Sequence, residues 1–215
     1  MEFDTTQFKE PECITENIDF WESVYRTHPE GTEISHPVDF NFVGPPRPNQ
    51  IRKQSGIKNR FEAGIVREKT YWPIISKYLA GVPRVIGLLP HVESSFNPQA
   101  QSKVGATGMW QIMPGTGKLY GLKSKNALKN VEKSTEVAIQ ILKENYAELG
   151  SWPLALTAYN HGLHGIKRAV KETGSTDFCT IVNNYNGPRF KFASKNFYAQ
   201  FLAVLRIRKQ EFPSK

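Results

Sequence analysis

The sequence predicts an all-α, mainly helical fold, and three kinds of observation support this prediction. Several segments place apolar residues every three or four positions, which is the period of an amphipathic helix, and one of them covers residues 131–149. These segments begin at Pro or at a capping residue such as Asn130 and end near a glycine such as Gly174. With 39% hydrophobic residues, a chain of 215 residues can also bury a core. We expect one helical domain, residues 58–213, after an acidic extension and linker, residues 1–57.

The extension is predicted to contain short elements only. Residues 18–25 are predicted to form a short amphipathic segment, and residues 28–31 are predicted to form a turn. The alternation of apolar and polar residues over 38–42 predicts a short strand. Residues 44–48, with three prolines, predict a stiff extended linker before the basic stretch 52–60.

From about Asn59 onward the pattern is helical. The first helix carries an apolar face to Gly81, with Pro73 kinking or restarting it. A second helix is predicted from Pro83, which is well placed as a first helical residue, to Glu93. The later helices are predicted, in order, at residues 131–149, 152–161, 163–171, 178–185 and 193–209.

Charge is unevenly distributed along the chain. The net charge is +8, but residues 1–40 hold ten acidic residues against Lys9 and Arg26 and therefore carry −8, which leaves +16 on the remainder. A basic body favours a polyanionic partner. The basic residues are scattered and accompany no helix-turn-helix, zinc or stacking-sheet signature, so we expect an anionic cell envelope and no nucleic acid.

The apolar runs, the first ten residues and the two cysteines bear on the cellular compartment of the protein. No apolar run approaches the ~20 residues that cross a bilayer, and residues 1–10 lack the basic start and apolar centre of a secretory signal. We expect no transmembrane segment, no export signal in this sequence and no oligomer. Cys13 and Cys179 allow one disulfide, which would imply an oxidising compartment; two free thiols are an equally open alternative.

Three segments resemble cofactor or metal-binding motifs, but each lacks a residue that the motif requires at a fixed spacing. Residues 115–118 imitate a phosphate-binding loop but lack its first glycine and its Ser or Thr after the lysine. The run His91-Val92-Glu93 imitates a zinc deaminase motif, yet no C-x-x-C follows. His161 and His164 lack an identifiable third ligand. We therefore expect no metal and no cofactor.

The chemistry is predicted to lie in residues 82–117. Glu93 ends a helix that is apolar nearly all round, and burial of a carboxyl group raises its pKa, which suits a general acid. A polar loop with Gly105 and Gly108 follows, and then residues 109–113 supply flat apolar surface and one amide. Such a wall is typical of a sugar-binding site.

Three ordered motifs carry a resemblance to a known family. They are E-S-S-F-N-P at 93–98, G-A-T-G-M-W-Q-I-M-P-G-T-G at 105–117 and A-Y-N-H-G at 158–162. Together they resemble the lytic transglycosylases, the peptidoglycan-cleaving relatives of goose-type lysozyme. Trp110 and the ending F-A-S-K-N-F-Y-A-Q-F-L-A are most similar to the membrane-bound transglycosylase D branch, and the likeness covers residues 21–204.

The resemblance implies a lysozyme-like catalytic domain acting on the bond between N-acetylmuramic acid and N-acetylglucosamine. Glu93 would act first as acid and then as base, forming 1,6-anhydromuramyl ends in a periplasmic or extracellular setting. Tyr159 would hydrogen-bond the catalytic carboxyl group. The residues expected to contact substrate or order its binding wall are Ser94, Ser102, Met109, Gln111, Met113 and Asn160.

Other activities remain open from the sequence. A hydrolytic goose-type lysozyme would use Glu93 with water, a chitin-cleaving enzyme would accept chains without the lactyl ether, and a non-catalytic wall-binding protein would keep the groove. After Glu93 the next acid is Glu132, so a second carboxylate is missing from its expected place unless Glu132, Glu136 or an N-terminal acid folds back. The family often has Glu in E-T-x-x-Y-V, whereas this chain has Ala193, which leaves its sugar or peptide specificity open.

Overall fold

The computed structural model describes residues 4–27, 33–37, 51–55 and 57–211. This part of the chain is mainly helical, as predicted. Its α-helices are α1 Thr15–Thr27, α2 Ile57–Ile75, α3 Pro90–Ser94, α4 Pro114–Leu119, α5 Lys125–Lys129, α6 Val131–Leu149, α7 Trp152–His161, α8 Leu163–Thr173, α9 Phe178–Asn184 and α10 Phe192–Glu211. Strands β1 Glu33–Pro37 and β2 Ile51–Ser55 pair antiparallel, with Glu33 opposite Ser55. The predicted turn at 28–31, strand at 38–42 and linker at 44–48 lie outside the described residues.

Helices α6 to α10 confirm the predictions from periodicity and capping. The Asn130 side chain accepts a hydrogen bond of 2.9 Å from the backbone N–H of Lys133, so it caps α6 as expected. Gly174 follows α8 with a left-handed φ of 65°, a conformation that glycine adopts without steric cost. The short helices α4 and α5 were not predicted, because five or six residues give too little periodicity to read.

The predicted continuous helix from Pro83 to Glu93 is wrong. Residues Arg84–Leu88 form a 3-10 helix, and the α-helical turn α3 begins only at Pro90. Pro90 has no N–H group to donate to the carbonyl of Ile86, so an α-helix cannot run through it undisturbed. The N–H of Leu89 bonds Ile86 instead, at 3.0 Å. In α2, by contrast, the helix continues past Pro73 to Ile75, and a 3-10 turn, Ser76–Tyr78, follows.

Within the described residues the chain divides into two units: the first unit comprises residues 4–5 and 60–144, and the second unit comprises residues 6–27, 33–37, 51–55, 57–59 and 145–211. The first unit builds its core from the apolar turns before Glu93, from α2 and from α6. Trp110 is fully buried there, and its indole N–H donates to the Thr135 hydroxyl at 2.9 Å. Gly87 is required by packing, since a Cβ would lie 2.8 Å from the Trp72 ring.

In the second unit the acidic extension packs on the end of the chain. Helix α1 lies along α10, and Asn17 and Trp21 both donate to the buried Asn196 side-chain oxygen, at 3.0 and 3.2 Å. Cys13 and Cys179 form a disulfide, which settles the pairing that the sequence left open. The Arg206 guanidinium also pairs with the carboxylates of the extension at Glu10, Asp19 and Glu22.

No helix in the described ranges combines the length and apolar character needed to cross a membrane.

Candidate active site

Glu93 sits near the end of α3, where the backbone turns sharply. The N–H of Glu93 bonds the Leu89 carbonyl at 3.3 Å, and the helix stops because Ser95 and Phe96 adopt left-handed φ values of 52° and 56°. The N–H of Phe96 returns to the Pro90 carbonyl at 3.0 Å. Non-glycine residues adopt this conformation at a cost of about 1 kcal/mol or more each, so packing around the turn must hold it in place.

Burial sets the protonation state of Glu93. The side chain keeps part of its surface exposed, yet protein atoms crowd the carboxyl group, and desolvation raises its pKa from 4.5 to about 8. The sequence prediction of a raised pKa is therefore confirmed. At neutral pH the group is mostly protonated, which is the form that a general acid needs.

The loop after α3 is tied closely to the end of that helix. The Ser94 hydroxyl donates to the carbonyl of Met109 at 2.7 Å and accepts from the N–H of Asn97 at 3.1 Å. Gly108 donates its N–H to the Ala100 carbonyl at 2.8 Å. These bonds hold the expected sugar-binding wall directly against the turn that carries Glu93.

The structure gives the wall residues different exposures. Met113 is 43% exposed, and Gln111 is half-buried, with φ of 48° and its side-chain amide donating to Gly108 at 2.8 Å. Ser102 is half-buried and its hydroxyl accepts from the N–H of Ala106 at 3.0 Å. Met109 has no exposed surface, so it supports the wall from within rather than presenting a side chain. With Ser94, all five predicted contact residues of this segment belong to the same unit as Glu93.

Tyr159 and Asn160 lie on α7, in the second unit. Tyr159 is half-buried and Asn160 is exposed. The Ser194 hydroxyl donates to the Asn160 side-chain oxygen at 3.2 Å and lies 3.1 Å from Nδ1 of His161. Burial, helped by the positive charges of nearby arginines, lowers the pKa of His161, so this imidazole is neutral at pH 7.

Sequence reasoning missed a buried pair behind Glu93. Nε2 of His91 lies 2.7 Å from a carboxylate oxygen of Glu68, and both side chains are almost entirely shielded from solvent. The signal was present, because Glu68 falls on the same face of α2 as Phe61, Trp72 and Ile75, which are all buried. A charged residue on an apolar helix face predicts a buried partner.

The wall segment that follows Glu93 brings no second carboxyl group. Residues 94–131 contain no acid, and Glu132, which follows them, is exposed. Among the residues that the structure describes, no group of three or more His, Cys, Asp or Glu is placed to hold a metal ion. Glu93 is thus the one carboxyl group between residues 69 and 131.

A family profile and two curated proteins with transglycosylase names match this chain. The profile of the family described as the Transglycosylase SLT domain matches residues 71–182, which include Glu93, the wall and Tyr159. The chain is 34% identical over 173 residues to the membrane-bound lytic murein transglycosylase D of Escherichia coli K12, covering 71% of this chain and 38% of that protein. It is 38% identical over 80 residues to the transglycosylase of Enterobacteria phage PRD1, covering 37% of this chain and 29% of that protein.

A solved structure shares the fold. The crystal structure of the 70 kDa soluble lytic transglycosylase of Escherichia coli superposes with a TM-score of 0.57 at 20% identity, covering 73% of this chain and 29% of that one. The chain therefore spans well under half the length of each of these relatives.

Proposed function

This chain belongs to the transglycosylase SLT domain family, and from that membership we propose that it is a peptidoglycan-cleaving lytic transglycosylase. It acts on the β-1,4 bond from N-acetylmuramic acid to N-acetylglucosamine and leaves 1,6-anhydromuramyl ends. The catalytic machinery lies in a lysozyme-like domain, residues 58–213, with residues 1–57 as an acidic extension.

The observation that carries the proposal is a protonated carboxyl group without a second acid beside it in the chain. Desolvation raises the pKa of Glu93 to about 8, and the wall segment that follows holds no carboxylate to activate a water molecule. Most glycosidases use two carboxyl groups. Closure of the substrate on itself requires only one, because the nucleophile is already part of the sugar.

The reaction proceeds in two proton transfers. Glu93 donates its proton to the glycosidic oxygen, the bond from that oxygen to C1 breaks, and the N-acetylglucosamine side leaves as an alcohol. The acetamido oxygen of the muramyl sugar stabilises the positive charge at C1, as in substrate-assisted glycosidases. The C6 hydroxyl then attacks C1 while the Glu93 carboxylate takes its proton, which restores the acid and consumes no water.

The remaining site residues bind and orient the glycan. Tyr159 hydrogen-bonds the Glu93 carboxyl group. The residues that contact the muramyl sugar or order the surface beneath it are Ser94, Ser102, Met109, Gln111, Met113 and Asn160. The half-buried amide of Gln111 and the exposed thioether of Met113 support this role, since they provide the mixed polar and apolar surface that sugar rings require.

The proposed setting is periplasmic or extracellular. The bridge between Cys13 and Cys179 supports it, because disulfides persist in oxidising compartments. The proposed partners are peptidoglycan glycan strands, whose carboxylates suit a chain of net charge +8. Nucleic acid and a second copy of the chain are not proposed as partners.

Mass spectrometry of digested peptidoglycan tests the proposal. We expect muropeptides that end in 1,6-anhydromuramic acid, lighter by one water than hydrolysis products and resistant to borohydride. Glu93→Gln should stay folded and lose at least about a thousandfold in rate, because the proton donor is gone. Glu132→Gln, the same change at an exposed acid of the same unit, is the control and should retain the parent rate. Reducible ends as the main product would identify a lysozyme instead.

A further inference from the structure

We propose that Gly64, Arg67 and Glu68 of α2 position the catalytic acid by holding α3 at His91 and Ser95, the residues two before and two after Glu93. These three residues of α2 are called the brace. The inference rests on the proposed function for its kinetic consequences, but its structural part is measurable without substrate.

Helix α3 requires support from outside itself. It has five residues, which is less than two turns, and isolated helices of that length are unstable in water. Two consecutive left-handed residues, Ser95 and Phe96, follow it directly, and neither is glycine. The direction in which Glu93 points is therefore set by tertiary contacts rather than by the helix.

The first contact of the brace holds the start of α3. A carboxylate oxygen of Glu68 lies 2.7 Å from Nε2 of His91, and the side chains are 2% and 0% exposed. The imidazole is packed between Phe61 and Phe96, with ring centroids 4.9 and 4.6 Å away. A hydrogen bond to a carboxylate in such an apolar setting is strong and directional, so it fixes the ring and the turn that carries it.

The second and third contacts hold the end of α3. Nε of Arg67 donates to the carbonyl of Ser95 at 2.9 Å. Gly64 lets the two helices approach, since a Cβ there would lie 3.0 Å from Nδ1 of His91 and 3.2 Å from Cβ of Ser95. Residues 64, 67 and 68 lie on one face of α2 because their spacing is three and four residues. That face contacts α3 on both sides of the acid.

The brace acts through geometry rather than through charge. Desolvation by burial is the cause of the raised pKa of Glu93, so that pKa depends on where the carboxyl group is held. A rotation of α3 would carry the carboxyl group toward water and lower its pKa toward 4.5. It would also move the proton donor away from the glycosidic oxygen, and displacements of about 1 Å are known to cost up to about a hundredfold in rate.

The test separates positioning from stability. Replacing both partners, Glu68→Leu with His91→Leu, removes the directional bond without leaving a buried charge unpaired, so the fold is kept. Against peptidoglycan we expect kcat to fall at least about tenfold with KM within about twofold. Titration of the Glu93 carboxyl carbon by NMR should give a pKa well below 8. Glu68→Gln, which keeps a hydrogen-bonding oxygen, should retain most of the parent kcat and a raised pKa.

A double variant with the parent kcat and the parent Glu93 pKa would overturn the brace. If that variant does not fold, Gly64→Ala provides the same reading, because the added methyl must push His91 and Ser95 by a few tenths of an ångström while α2 stays helical. It should lower kcat and the Glu93 pKa together, and unchanged values would again reject the proposal. If the parent chain does not cleave peptidoglycan, the proposed function fails, and the NMR titration still decides the brace.

Discussion

Glu93 carries its proton at the expense of stability. A carboxyl group whose pKa rises from 4.5 to about 8 on folding binds a proton that the unfolded chain has already released at neutral pH. Stability must then fall as pH rises from about 4.5 to about 8, because the native state binds more protons than the unfolded state over that range. The group that we propose as the catalytic acid thus destabilises the fold at neutral pH.

Glu93→Gln should therefore be more stable than the parent chain at pH 8. The amide removes the cost of a desolvated carboxyl group, which is at most about 4 kcal/mol and smaller because the side chain is partly exposed. Below pH 4.5 the two proteins should differ little. Thermal melts of both proteins from pH 4 to pH 8 measure this, and a gap that does not widen with pH would contradict the raised pKa.

Tyr159→Phe should weaken cleavage by about tenfold, far less than Glu93→Gln, because the proposed positioning role of the hydroxyl would be lost while the proton donor remains. Tyr146→Phe is the matched control: this tyrosine of the same unit stacks on Trp152 at 4.4 Å and has no proposed role in binding. Initial rates on purified peptidoglycan compare the parent chain with the Tyr159→Phe, Tyr146→Phe and Glu93→Gln variants. A loss in Tyr159→Phe as complete as in Glu93→Gln would give the hydroxyl a chemical role.

For individual residues, the sequence allowed Glu93 to be predicted but not the Glu68–His91 pair that packs beside it. Glu93 was recognisable because it ends an apolar run and opens a motif, and its raised pKa followed from burial. The Glu68–His91 pair was not recognisable, because the two residues are far apart in sequence and only the packing of α2 on α3 brings them together. Met109 is the converse case, since a motif residue expected at the surface is fully buried.

Among the elements, the loop from α3 to α4 depends on one glycine. Gly108 has a φ of 82°, and a Cβ there would lie 2.1 Å from the carbonyl oxygen of Leu128. Gly105, in the same loop, has a φ of 95° with open space around it. Both glycines have a positive φ, but only at Gly108 would a Cβ clash with another part of the chain. Their alanine variants therefore separate the cost of backbone strain from the cost of the clash.

Gly108→Ala should lower the free energy of unfolding by about 3 kcal/mol or more, since backbone strain and a steric clash add. Gly105→Ala should cost only about 1 kcal/mol, from backbone strain alone. Urea unfolding of both variants measures the difference. Equal losses would mean that the loop shifts away from Leu128 without cost.

Helix boundaries could be predicted where capping residues mark them. The prediction failed where one proline interrupts an apolar segment. Asn130 and Gly174 gave the limits of α6 and α8. Pro90 was read as one more residue of an apolar helix, whereas its missing N–H separates a 3-10 helix from α3. That break makes the turn with Glu93 a separate short helix. The spacing of the apolar side chains does not reveal the break, because it is similar on both sides of Pro90.

At the scale of the whole molecule, the bridge between Cys13 and Cys179 links the N-terminal extension covalently to the last third of the chain. It closes a loop with a sequence separation of 166 residues, for which the chain-entropy model gives a stabilisation of about 5 kcal/mol, less any strain. The Arg206 contacts fasten the same extension but are partly exposed, and such ion pairs are worth about 1 kcal/mol or less each. Arg206 lowers the pKa of Glu10, so this smaller contribution is present above pH 4.5 and is lost as pH falls through the lowered value.

Replacing both cysteines by serine should lower the melting temperature by about 10 °C or more, because the unfolded chain regains the entropy that the bridge removes. Arg206→Gln, which loosens the same extension without touching the bridge, should lower it by only a few degrees. Calorimetry under identical buffer conditions compares them. Equal melting temperatures for the parent and the serine variant would show that the bridge adds nothing to stability.

The interleaving of the two units along the chain has a consequence for biosynthesis. Residues 60–144, which make up most of the unit with Glu93, are contiguous, so most of that unit has emerged from the ribosome before α10 is synthesised. The unit with α1 must wait for α10, and Cys13 emerges 166 residues before the cysteine that it joins. We therefore expect the bridge to be oxidised late in maturation, in a chain whose turn with Glu93 has already formed.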